Sequence, residues 1–264
     1  ALDETIVQHD KEFHLAVREY PNIFHSGHKY IYDLQANPIP TYTYRVGGVV
    51  LKKEMLLAQE EETMLLRYTL VEAYSPTKLW LHPFLAFRNI HALSKENMDV
   101  ITKAYPVKNG MKTKMYDVYP YLYMQCSKSP DYVPAPLWFN NVLFRKEKER
   151  GYDYLEDLFV PGYFEIPLKK GEQVVFAAGL KETSPTKLKQ KFDKEVERRI
   201  PRTGFDNCLK NSAEQFIVRK GKQTAVVSGY PWFGTWARDT FIALPGLTCE
   251  QGDTKTCKEV LDTI

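Results

Sequence analysis

Between about residues 4 and 181 the chain is a succession of short β-branched and aromatic runs. They are separated by turn residues, and no helical crossover lies between them. Strands joined at such short spacing can only pair antiparallel, because a parallel pair needs a connection of a dozen or more residues. In PTYTYRVGGVVLKKEMLL two runs flank Gly47-Gly48, whose backbones can take the positive φ of a two-residue hairpin turn. TMLLRYTLVEAYS and PTKLWLHPFLAF follow on either side of Ser75-Pro76, and then MKTKMYDVYPYLYMQCS, LWFNNVLF and EQVVFAAGL. The pattern predicts a mainly β chain: a large antiparallel β-sandwich over residues 1–183, favoured over a parallel α/β sheet by the missing crossovers.

At Ser184-Pro185 the periodicity changes from two to that of helices. Serine before a helix and proline at its first position make a start signal, and Pro201 a stop. Between them Leu188, Phe192, Val196 and Ile200 recur every fourth residue among charges, which predicts a solvated helix with one narrow apolar stripe. A second helix is predicted after Gly204, from Phe205, Cys208, Leu209, Ala213, Phe216 and Ile217, with Thr203 and Asp206 at its start. A third runs from Arg238 to about Leu247 and bends or ends near Pro245. A fourth follows Asp253, with Cys257, Val260, Leu261 and Ile264 as its apolar positions. Residues 184–264 are therefore expected to form a second, helical region.

A net charge of +3 is too small to direct the chain to nucleic acid or an anionic membrane surface. No apolar run approaches the ~20 residues that span a bilayer. Cys126, Cys208, Cys249 and Cys257 are scattered and form no CxxC pair, which fits reduced thiols in the cytoplasm and not a disulfide frame or a zinc site. His25 and His28 lack further ligands at metal spacing, so no metal or other cofactor is expected. The chain opens ALDETIVQHD, with neither an initiator Met nor a signal peptide, and stops inside a helical pattern. It reads as a piece of a longer protein.

Candidate chemistry concentrates in SGYPWFGTWARDTFIALPG, residues 228–246. A sugar ring offers C–H faces to aromatic walls and a rim of hydroxyls to charged hydrogen-bonding groups. Here Trp232, Phe233 and Trp236 would supply walls, while Arg238 and Asp239, in the first turn of a helix, would read two hydroxyls. A core segment followed by a surface ion pair would give the same pattern, and spacing does not choose between them. Elsewhere Glu156-Asp157 are adjacent on an extended segment and point opposite ways, so they cannot converge on one bond. A structural role is expected for them, capping the following turn or pairing with Arg150, with a subsite contact at the domain interface as the alternative. Trp80, His82 and Arg88 alternate as half-buried strand residues, and FRKEKER reads as a charged, solvated edge.

The stretch SGYPWFGTWARDTFIALPGL resembles the opening motif of the helical domain of glycogen debranching enzymes, the amylo-α-1,6-glucosidase family. LDETI, PTYTYRVGGVVLKKEMLLAQEEETMLLRYTLVEAYSPTKLWLHPFLAFRNIHAL and EKERGYDYLEDLFVPGYFEI resemble the β-rich N-terminal domain of its bacterial members. Ala237 and Thr235 depart from the family's more frequent Gly and Arg. The resemblance implies that residues 184–264 are a linker helix and the first helices of an (α/α)6 barrel. It also implies a parent enzyme that hydrolyses the α-1,6-linked glucose stub at a glycogen branch point, with glycogen or limit dextrin as partner. Arg238 and Asp239 would then grip the terminal glucose, with Trp232, Phe233 and Trp236 around it. Inverting hydrolysis needs two carboxylates about 6.5–9.5 Å apart. No such pair is visible, so no catalytic residue is expected in this chain and the acid and base are expected beyond Ile264. A non-catalytic carbohydrate-binding module and a glucoamylase-like or trehalase-like enzyme of another linkage preference stay open as alternatives.

Overall fold

A computed structural model describes residues 1–59, 61–199, 203–230 and 233–264. In chain order the first elements are β1 (Leu2–Gln8), β2 (Lys11–His14), β3 (Val17–Glu19), β4 (Phe24–Ser26), β5 (Ile31–Gln35), β6 (Thr41–Val46), β7 (Val49–Leu57), β8 (Thr63–Glu72) and β9 (Thr77–Pro83). Next come β10 (Tyr105–Val107), β11 (Gly110–Thr113), β12 (Leu122–Cys126), β13 (Asp131–Leu143), α1 (Arg145–Glu149), β14 (Leu155–Leu168) and β15 (Gln173–Gly179). The remainder is α2 (Leu188–Glu197), α3 (Phe205–Phe216), β16 (Ile217–Lys220), β17 (Gln223–Val226), α4 (Ala237–Leu247) and α5 (Thr254–Leu261). The chain divides into two compact units. One holds Ala1–Ala58 and Glu62–Lys194, the other Gln59–Glu61 and Glu195–Ile264.

The first unit is the predicted antiparallel sandwich. Five strands pair in the order β13-β14-β9-β1-β2 and eight in the order β10-β11-β12-β15-β8-β7-β6-β5. Alternation along each strand sends one face inward. Ile6, Leu79, Leu81, Phe164 and Ile166 of the smaller sheet share one buried cluster with Tyr44, Leu51, Leu66, Tyr68, Val174 and Phe176 of the larger. The hairpin of β6 and β7 turns at Gly47 and Gly48, with φ of 57° and 77°, the left-handed values that only glycine adopts freely.

Two buried glutamates in this unit are paired, as the cost of burying a lone charge demands. Glu4 accepts a hydrogen bond from the Tyr68 hydroxyl at 2.8 Å and pairs with Lys53. Glu54, directly across the ladder from Arg67, takes two hydrogen bonds from its guanidinium at 2.7 and 2.8 Å. Burial works to raise the pKa of Glu54, but the Arg67 hydrogen bonds together with the charges of Arg67 and Lys52 outweigh it and hold the carboxyl below its ordinary value. The same guanidinium donates to Asp193 of α2 at 2.7 Å and lies 4.2 Å from the centre of the Phe192 ring. Leu188 and Phe192, two positions of the predicted stripe, are both buried. Ile200 and Pro201 lie outside the described residues.

In the second unit Val226, Leu244 and Val260 form a small core, with Phe216, Leu247 and Cys257 packed against it. The predicted helices are present as α3, α4 and α5. Pro245 sits inside α4, which continues to Leu247. Ile217, read as the end of a helix, instead opens the β16–β17 hairpin, because its β-branched neighbour Val218 and the turn at Gly221, with φ of 61°, favour strands there. FRKEKER is likewise no strand edge: Arg145–Glu149 folds as the short helix α1, with Lys146 and Glu149 paired across one turn at 2.7 Å. Among the described residues no helix is long and apolar enough to cross a membrane.

Candidate functional site

The loop before α4 closes on itself. Ser228 N donates to Gly234 O at 2.9 Å, Phe233 N donates to Gly229 O at 3.0 Å, and Trp236 N reaches the Ser228 hydroxyl oxygen at 3.2 Å. Gly229 allows the Phe233 ring to lie over it: a Cβ at position 229 would stand 3.2 Å from that ring. Tyr230 ties the loop to α3, with its hydroxyl donating to Gln215 O at 2.8 Å and its ring centre 5.9 Å from that of Phe216. Trp236 holds the extended position before the helix, and its carbonyl accepts from Thr240 N at 2.9 Å, which fixes the first turn of α4.

Arg238 and Asp239 occupy that first turn, as predicted. Successive helical residues diverge by about 100°, so one cation and one carboxylate are presented side by side in different directions. Arg238 is exposed and Asp239 half-buried, and among the described residues neither makes a hydrogen bond or an ion pair. Phe233 is 58% exposed and Trp236 53%. Trp232 lies outside the described residues. Phe233 and Trp236 are thus open to solvent and wall no enclosed pocket. An aspartate at a helix N-terminus also has a structural use, since it offsets the positive end of the helix dipole.

The other candidates resolve into structure. Glu156 and Asp157, at the start of β14, are both buried and take separate sets of partners. Glu156 pairs with Arg88, not with Arg150 as the sequence suggested: Arg88 Nε and Nη2 engage its two oxygens, the second at 3.0 Å, and Ser94 N adds a bond of 3.0 Å. Asp157 accepts from Glu96 N at 2.9 Å and Asn141 N at 2.8 Å. Asn141, with φ of 57°, sits in the bulge where the β13–β14 register shifts. The two carboxylates therefore pin the 88–96 loop and this bulge to β14, a job that no local periodicity reveals.

Trp80 and His82 project from the face of β9 opposite Leu79 and Leu81. The Tyr163 ring centre stands 5.0 Å from that of Trp80 and 4.8 Å from that of His82, on which it stacks. Trp80 Nε1 donates to Glu165 at 2.7 Å, and Lys78 pairs with the other oxygen of Glu165 at the same distance. Burial, helped by the nearby Arg18 and His14 charges, lowers the His82 pKa to about 4, so the ring is neutral near pH 7. Arg88 lies beyond the end of β9. His25 and His28 lie in β4 and the 3-10 turn after it, and no group of three or more potential ligands among the described residues could hold a metal ion.

By fold the chain is an antiparallel β-sandwich protein continuing into a helical unit. Residues 1–175 match the family model described as glycogen debranching enzyme N terminal, and residues 211–264 match the one described as amylo-alpha-1,6-glucosidase. The chain belongs to the glycogen debranching enzyme N-terminal family. Among curated proteins no sequence matches it significantly. Among solved structures it is similar to a bacterial glucoamylase in complex with acarbose, at 10% identity and a TM-score of 0.48, over 99% of this chain and 43% of that one. It is also similar to a polysaccharide lyase, at 12% identity and a TM-score of 0.33, over 72% of this chain and 27% of that one. The chain thus spans less than half the length of either.

Proposed function

We propose that this chain is the β-rich N-terminal part and the start of the catalytic helical part of a glycoside hydrolase that removes α-1,6-linked glucose at glycogen branch points. The observation that carries the reading is the order of the two family matches along one chain, with Arg238 and Asp239 inside the second. In this reading residues 184–264 are the linker helix and first barrel helices. Phe205, Leu209, Phe241 and Ile242 are all more than half exposed, apolar surface of the kind that neighbouring helices of a barrel would bury. Arg238 and Asp239 clamp the terminal glucose, and Trp232, Phe233 and Trp236 flank it. The acid and base are supplied by residues outside this chain.

Glucose release from a branched limit dextrin tests the proposal. The longer protein is expected to liberate free glucose from branch stubs, and the 264-residue chain alone to liberate none above a mock preparation. If the longer protein cleaved only unbranched α-1,4 chains, the linkage would be wrong; if the chain alone released glucose, the catalytic pair would have to lie within it.

A further inference from the structure

We infer that Cys249 and Cys257 are a redox-active dithiol, a built disulfide site in the helical unit. Their sulfurs lie 3.6 Å apart with both thiols reduced. Cys249 is exposed and Cys257 partly so, which leaves the pair open to a small oxidant. The turn between them is what brings them together. Cys249 opens a 3-10 turn closed by Gly252 N donating to Cys249 O at 2.9 Å, and Gly252 then takes a φ of 76°. Asp253 caps α5 by accepting from Thr256 N at 3.0 Å, and Cys257 N donates to Asp253 O at 3.2 Å, placing Cys257 on the turn that faces back toward Cys249. A disulfide bond is about 2.05 Å long, so the sulfurs need to close by roughly 1.5 Å, within reach of small side-chain rotations. The sequence spacing gave no sign of this pair, because eight residues with a glycine turn between them match no familiar cysteine motif.

The step is a double exchange with a low-molecular-weight disulfide such as oxidised glutathione. One protein thiolate attacks the reagent and expels a glutathione thiolate, leaving a mixed disulfide. The second protein thiolate attacks the protein sulfur of that mixed bond and expels the second glutathione. The two cysteines lose two electrons and two protons in all, and one oxidised glutathione becomes two reduced ones. The resulting bond ties the first turn of α5 to the segment that leaves α4. Cys126 is fully buried, and burial pushes its thiol pKa far up, so it takes no part.

The 264-residue chain, equilibrated in glutathione buffers of graded redox ratio, quenched with acid and alkylated, gives the test by mass spectrometry. Trypsin cleaves after Lys255, between the two cysteines, so their peptides stay joined only through a disulfide. The expected product is the joined pair, about 2 Da lighter than the reduced peptides. Its midpoint should fall at a ratio at least tenfold more reducing than for the same chain unfolded in guanidinium, and Cys249→Ser should leave Cys257 able to form only a glutathione adduct. Separate glutathione adducts on Cys249 and Cys257 would overturn the assignment. So would equal midpoints for the folded and unfolded chain, which would show that folding does not bring the thiols together.

Discussion

Asp239→Asn in the longer protein is expected to fold normally and to lose roughly ten- to a hundredfold or more of its activity, since a charge-assisted hydrogen bond contributes about 1.5–3 kcal/mol. The fold should survive because the Asp239 carboxylate has no hydrogen-bond partner among the described residues, and its favourable place at the start of α4 contributes only about 0.3–1 kcal/mol. Arg238→Lys should also be harmful, as an ammonium cannot reproduce the guanidinium fork. Kinetics separate a clamp from a catalytic acid. Loss of a clamp weakens binding of glucose-like inhibitors and keeps both limbs of the pH profile. Loss of a general acid spares inhibitor binding and removes the alkaline limb. An Asp239→Asn enzyme that kept its inhibitor affinity but lost the alkaline limb would make Asp239 the acid and defeat the placement of the catalytic pair outside this chain.

Arg88→Ala should be the most damaging single change in the sandwich unit outside its apolar core. It strands the Glu156 carboxylate, whose side chain is only 2% exposed, with a single backbone donor from Ser94. Removing one partner of a buried pair costs about 3–5 kcal/mol. The variant also releases the carbonyls of Asn89 and Ile90, each held by Arg88 Nη1 at 3.1 Å. Urea unfolding of the 264-residue chain measures the loss. Replacing Arg88 and Glu156 together with apolar residues of similar volume should cost much less than either single change, because no charge is then left buried. A loss below about 1 kcal/mol for Arg88→Ala would mean that water reaches Glu156 and that the pair does not anchor the loop.

The parts of the fold that were legible in the sequence are those set by local chemistry. Gly47-Gly48 specifies its turn through φ alone, and the alternation of Leu79 and Leu81 with Trp80 and His82 specifies which face of β9 is buried. Ser184-Pro185 marks a 3-10 turn, Pro185–Lys187, that leads into α2. What escaped the sequence depends on partners distant along the chain. Arg88 and Glu156 are 68 positions apart, and nothing near either one names the other. Ile217 keeps the helical rhythm of α3 yet pairs with Val226, across a hairpin whose turn at Gly221 lies four residues further on. For the candidate site, the motif located Arg238 and Asp239 on the first turn of α4. The exposure of Phe233 and Trp236, mostly in solvent, is a property of packing that a list of aromatic residues does not contain.

The most direct measurement is a crystal structure of the longer protein with a glucose-mimicking inhibitor bound. The proposed function predicts that the Arg238 guanidinium and the Asp239 carboxylate each lie about 2.7–3.2 Å from hydroxyls of the terminal ring, with Trp236 or Phe233 against its C–H face. An inhibitor seated elsewhere in the catalytic part, with Arg238 and Asp239 still facing solvent, would contradict it.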